Sequence, residues 1–114
     1  MFYANYLKFF ERARTEWLRS LGIGQRELRE RSGGMFVVGE TRVKFHQPAR
    51  LDDELLVTAC LEERGRASLI IAQQAFLRGG DTLLCEGTIR IGWIDAATMK
   101  PARIPTILLD TLQR

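Results

Sequence analysis

The sequence predicts an α+β fold in which one long helix lies on an antiparallel sheet. Apolar residues recur at three- and four-residue steps from Asn5 to Leu21, and beyond Met35 the period falls to two. The turn signals ERGR and RGGD separate the later apolar runs and predict a meander of antiparallel hairpins. A helix with a single apolar stripe can bury it only against one face of that sheet, so the expected core is helix on sheet.

The helix comes first. Tyr6, Phe9, Phe10, Ala13, Trp17, Leu18 and Leu21 form its apolar stripe, with Lys8, Glu11, Arg12, Glu16 and Arg19 mostly between them. Asn5 is the expected N-cap, and Gly22 supplies the residue that tolerates a left-handed C-terminal turn. A polar connector follows, in which Gln25 to Arg31 predicts a short exposed helix ended by Gly33 and Gly34. Phe36, Val38, Thr41, Val43 and Phe45 then alternate with Arg42 and Lys44, which makes a half-buried strand with an irregularity around Gly39 and a stop at Pro48. Glu54 to Glu63, Ala67 to Leu77 and Thr82 to Ile94 are the remaining strands. After Pro101 and Pro105, the cluster Ile107, Leu108, Leu109 and Leu112 predicts a short closing helix.

At 114 residues the chain is expected to be one domain spanning residues 1–114, with room for a single site. Its 17 Lys and Arg against 14 Asp and Glu leave +3, a mild excess that suits a phosphate-bearing small molecule as easily as a polynucleotide surface, so charge alone does not name the partner. The basic residues are interspersed with acids and the aromatics lie on the apolar helix face, a pattern that argues against a nucleic-acid surface. Cys60 and Cys85 sit in apolar runs without zinc-ligand spacing, so reduced structural thiols and no metal are expected. With no apolar run of membrane-spanning length and no signal-peptide pattern, the expected location is the cytoplasm.

The stretches FYANYLKFFERARTEWLR, FVV with KFHQPARLDDEL, and KPARIP resemble the 4-hydroxybenzoyl-CoA thioesterase family, in particular its YbgC-type branch, over essentially the whole chain. The resemblance implies a hot-dog fold, a long helix wrapped by an antiparallel sheet, paired into homodimers whose sheets join and often assembled into homotetramers. It implies an acyl-CoA thioesterase that yields free acid and CoA, with coenzyme A as part of the substrate and no cofactor of its own. The family's N-terminal block reads Asp-x-Asp-x-x-Gly-x-Val before an aromatic pair or Tyr-His and then x-Asn-Tyr, and Phe2, Tyr3, Asn5 and Tyr6 fall on it. Its catalytic Asp, Gly-Val turn and first strand would therefore lie upstream of Met1, which occupies the family's Val position. The natural chain is expected to begin further upstream; a true truncation would leave a sheet edge open.

Thioester hydrolysis needs a carboxylate, to attack the carbonyl or activate water, and donors aimed where negative charge develops on oxygen. By resemblance those donors are backbone N–H groups at the start of the long helix, near Tyr3, where the macrodipole is positive. Tyr3, Asn5 and Tyr6 are thus the candidate catalytic residues, against the alternative of a helix cap with aromatic packing. Tyr3 stands where the YbgC branch often has His. Glu11 and Glu16 are the nearest carboxylates and read as solvated helix-face residues paired with Arg12, Arg14 or Arg19, rather than as a substitute acid. For the CoA phosphates the candidates are Arg64 and Arg66 in the ERGR turn, with Arg78 and Arg90 on neighbouring strands. His46, the only histidine, reads as a surface residue at a strand end, and Asp52 and Asp53 as turn residues. The rival readings are a non-catalytic subunit that binds acyl-CoA or acyl-carrier protein, and a hot-dog acyl-thioester dehydratase or hydratase, whose usual carboxylate–histidine pairing is not visible here.

Overall fold

The computed structural model describes residues 3–22, 24, 26, 30, 32–48, 53–80 and 82–112. Helix α1 (Tyr3–Ser20) is followed by strands β1 (Gly34–Phe45), β2 (Leu55–Arg64), β3 (Ser68–Leu77) and β4 (Leu83–Asp95), and a short helix α2 (Thr106–Leu112) closes the chain. Of the short helix expected over residues 25–31, only Arg26 and Glu30 are described; both are helical and form an exposed i,i+4 ion pair at 3.5 Å.

α1 forms because its stripe has a surface to cover. Tyr6, Phe10 and Leu18 are buried, and Trp17 and Leu21 pack partly against the same core. Each fully buried large apolar side chain contributes roughly 1.5–3 kcal/mol relative to exposure, which outweighs the intrinsic preferences of a helix that also contains Thr15 and four aromatics in the stripe. The helix ends as its sequence implies: Gly22 adopts a φ of 81° and donates its N–H to the Arg19 carbonyl at 2.9 Å. The start differs from expectation. The helix already includes Tyr3, so Asn5 lies within the first turn and is not the N-cap.

The sheet order is β1-β4-β3-β2, with every neighbouring pair antiparallel. The expected meander holds for β2, β3 and β4 but not for β1, which crosses the sheet to pair with β4 from Gly34↔Asp95 to Phe45↔Cys85. Burial explains the order. β3 and β4 carry the buried Leu69, Ile71, Ala75, Cys85, Ile89, Ile91 and Trp93 and take the centre, while β2, which contributes no buried residue, takes an edge.

The irregularity expected around Gly39 is present as a register shift between Val38 and Glu40. It resets the alternation so that Phe36, which packs edge-on to Trp93 at 4.9 Å, and Val43 and Phe45 beyond the bulge all face α1. α2 buries Leu108 and Leu112 as expected for a closing helix. Among the described residues, no helix is long and apolar enough to cross a membrane.

Both cysteines are free. Cys85 is fully buried, and burial first, with the Glu86 carboxylate second, pushes its thiol up to about 11. A thiol held protonated is a poor nucleophile. In the native protein at pH 8, iodoacetamide is therefore expected to label exposed Cys60 and spare Cys85, both reacting after denaturation; peptide mass spectrometry reads the difference.

Candidate functional site

The helix and β1 enclose a groove. On α1, Leu7, Glu11, Arg14 and Leu18 share one stripe by their three- and four-residue spacing, and β1 presents Phe45, Val43, Val38 and Phe36 on the facing side. The register is fixed at both ends. Tyr6 meets Phe45 edge-on, with ring centroids 5.6 Å apart, near the start of α1. Leu18 lines a cleft with Phe36, Val38 and Ile91 toward its end. That cleft holds about 310 Å³, and Glu11, Arg14, Thr15 and Val37 complete its wall. Val38, in the cleft wall, is 53% exposed, and Leu7 and Phe45, toward the start of α1, are 45% and 39% exposed.

A polar anchor holds the middle of the groove. Gln73 is 1% exposed in the core, and its Nε2 donates to the Phe10 carbonyl at 2.8 Å and to the Thr58 carbonyl at 3.4 Å. Its Oε1 accepts from the Arg14 guanidinium at 2.8 Å. The amide thus pins α1 to β2 and β3 and fixes the direction of Arg14. Desolvation lowers the Arg14 pKa, opposed by the nearby Glu11 carboxylate, so the cation is held partly out of water.

These two residues were not candidates from sequence, yet each carries a signal. Arg14 follows Phe10 by four positions and so falls on the buried stripe, where a charge is out of place. Gln73 shares the parity of Leu69, Ile71 and Ala75 in the run LIIAQQAFL, a polar residue at a core position.

Of the sequence candidates, Tyr6 is 2% exposed and its ring packs in the core. Tyr3 and Asn5 occupy the first turn of α1, and their side chains lie outside what is described. Arg64 and Arg66 sit at the β2–β3 turn, beside the end of the sheet where Leu69 pairs with Ile91. This is the end that faces Leu18, opposite the Tyr6–Phe45 contact, so one chain does not bring the arginines to the start of α1. Arg64 donates to the Leu109 carbonyl of α2 at 3.1 Å, and the Arg66 backbone carbonyl accepts from the Ile104 N–H at 2.8 Å.

Arg78 pairs with Glu54 at 3.7 Å at the other end of β3. Glu11 is exposed at the cleft rim, and Glu16 pairs with Arg19 at 3.4 Å, as expected of a solvated face. His46 lies within 3.5 Å of Glu86 at the end of β1. Asp52 lies outside the described residues, and Asp53 lines a second groove, between α1 and β2, with Phe9, Ala13, Leu55 and Val57.

A larger hollow of about 410 Å³ lies on the sheet face away from α1, between Arg42, Lys44, Thr58, Cys60, Gln74 and Glu86. Arg42 there is already paired with Glu40 at 2.6 Å, and His46 Nε2 lies 3.5 Å from Glu86. The α1–β1 groove, where Leu18, Phe36, Val38 and Ile91 face one fixed cation, is the better candidate for an acyl group. Among the described residues no group of His, Cys, Asp and Glu is arranged to hold a metal.

Comparison with known proteins agrees with this fold. The model of the thioesterase-like superfamily matches residues 1–112. The acyl-CoA thioesterase YbgC of Haemophilus influenzae is 35% identical over 105 residues, covering 92% of this chain and 76% of that protein. Among solved structures, a probable thioesterase from Bartonella henselae superposes with a TM-score of 0.82 at 30% identity, covering 92% of this chain and 85% of that one. A 1,4-dihydroxy-2-naphthoyl-CoA thioesterase from Synechocystis reaches 0.88 at 16% identity, covering 99% and 82%, and shares the hot-dog arrangement of helix and sheet.

Proposed function

The chain belongs to the thioesterase-like superfamily, and from that premise we propose that it hydrolyses an acyl-CoA thioester. The observation that carries the reading is the 105-residue match, at 35% identity, to a relative named for acyl-CoA hydrolysis. The cleft between α1 and β1 supports it, because Leu18, Phe36, Val38 and Ile91 offer apolar surface to an acyl chain on the same helix whose start carries donors for the carbonyl oxygen.

In the step proposed, a carboxylate attacks the carbonyl carbon or activates water against it, and negative charge gathers on the carbonyl oxygen. The backbone N–H groups around Tyr3, unpaired within the helix and at the positive end of its dipole, stabilise that oxygen. The C–S bond then breaks, and the thiolate takes a proton and leaves as CoA; where the carboxylate itself attacked, water then hydrolyses the acyl–carboxylate anhydride so formed, and where it activated water the acid forms directly. On the family pattern the carboxylate comes from just before the long helix, and the reaction requires no cofactor of the protein's own. Tyr3 and Asn5 belong to that first turn, while Tyr6 supports it through Phe45.

Arg66, exposed at its turn, is the first candidate for a CoA phosphate, with Arg64 behind it. We read the active unit as a cytoplasmic homodimer joined through the β1 edge, with pairing of dimers into a tetramer as the larger assembly. The place of β1 at an edge of the sheet formed by the described residues, and the exposed Val38 and Phe45, support this choice.

The test is release of free CoA thiol from a panel of acyl-CoA esters by the purified protein. Turnover of at least one ester at an enzymatic rate is expected. Tight binding of acyl-CoA without thiol release would instead make it a binding subunit.

A further inference from the structure

Arg14 is the feature that hydrolysis as described leaves unused. Its guanidinium is half-buried, lines the α1–β1 cleft, and makes one hydrogen bond among the described residues, to Gln73 Oε1. Gln73 is itself saturated, since its amide donates to the Phe10 and Thr58 carbonyls. Among the described residues, Glu11 is the one acid in the cleft wall; it is exposed at the rim and acts on Arg14 through space. A fixed, partly desolvated cation with spare donors among Leu18, Phe36, Val38 and Ile91 is a receptor for a carboxylate carried on an apolar chain.

Resting on the thioesterase reading above, we propose that the α1–β1 groove takes an acyl chain ending in a distal carboxylate, and that Arg14 holds that carboxylate. The groove sets the length. From Tyr3 to Arg14 is eleven residues of helix at about 1.5 Å each, roughly 16 Å. An extended chain covers about 3.5 Å per three bonds, so a thioester carbonyl at the start of α1 and a carboxylate at Arg14 are separated by about a dozen bonds. Leu7 and Phe45, both exposed near the start of α1, and Val38 in the cleft wall beside Arg14 are the apolar surface available to such a chain. The substrate class is therefore the mono-CoA thioester of a long α,ω-dicarboxylic acid.

Two matched pairs test this: tetradecanedioyl-CoA against tetradecanoyl-CoA, and succinyl-CoA against butyryl-CoA, whose carboxylate is too close to the thioester to reach Arg14. Wild type is expected to favour the carboxylate-bearing member of the long pair at least tenfold in kcat/KM. In Arg14→Met that ratio should fall to about one, and Arg14→Lys should recover part of it. The short-pair ratio should not respond to either substitution. If Arg14→Met does not fold, as judged by thermal melting, Gln73→Glu serves instead, because a carboxylate there occupies the guanidinium and should abolish the preference. A long-pair ratio near one in wild type, or one that survives in a folded Arg14→Met protein, would overturn the proposal. If no ester is hydrolysed, the thioesterase reading fails by itself, and equilibrium dialysis of the same two long esters decides the inference. A tenfold binding preference lost in the variant sustains it, and equal binding ends it.

Discussion

Phe10→Ala is expected to lower stability by about 3–5 kcal/mol. The ring is fully buried and lies under the middle of α1, where it meets the sheet at Gly87. Removing it deletes apolar contact and leaves a cavity that the neighbours cannot easily close. Ile71, Ile89 and Cys85 belong to central strands fixed by hydrogen bonds on both sides, and Gln73 ties the Phe10 carbonyl in place. With total stability of a domain this size on the order of 5–15 kcal/mol, the loss is a large fraction of the whole. Urea unfolding followed by circular dichroism gives the number; a midpoint shift worth less than about 1 kcal/mol would mean that α1 is not anchored where described.

Gly87→Ala is the second large effect, and its origin is different. A Cβ built on Gly87 would lie 2.6 Å from the Arg42 backbone carbonyl oxygen and 3.5 Å from Phe10 Cε2. The near atom is backbone, so β1 must shift away from β4 rather than a side chain turn aside. The expected cost is about 2–3 kcal/mol from overpacking, and the groove loses its β1 wall, so turnover should fall with stability. Gly39 provides the comparison. There the nearest atom to an added Cβ is the Arg90 carbonyl oxygen at 3.8 Å, and Gly39→Ala should cost less than about 1 kcal/mol. Equal effects at the two positions, measured by urea unfolding, would contradict the close β1–β4 approach.

Much of the fold was legible because periodicity records burial. The stripe containing Tyr6, Phe10 and Leu18 located α1, the change of period after Met35 located β1, and ERGR and RGGD located the hairpins. Even the bulge was marked by Gly39. The crossing of β1 to β4 was not, because alternation along a strand states which face is buried and says nothing about which neighbour it pairs with. Asn5 looked like a cap from residue type, while the backbone places the helix start at Tyr3.

The site was less legible than the fold. Its lining comes from α1, β1 and β4, separated by tens of residues, and Arg14 and Gln73 meet 59 positions apart. Each looks ordinary in its own segment. Charge at a turn points to Arg64 and Arg66, and the topology carries that turn to the far end of α1.

The measurement that tests thioester hydrolysis most directly is the fate of water oxygen. The full-length protein is incubated with an acyl-CoA in water enriched in ¹⁸O, and the acid and CoA are quantified together by mass spectrometry. One ¹⁸O in the released acid and one free thiol per acid formed are the predicted result. Acyl-CoA recovered intact, or an acyl group altered while its thioester survives, would contradict the assignment.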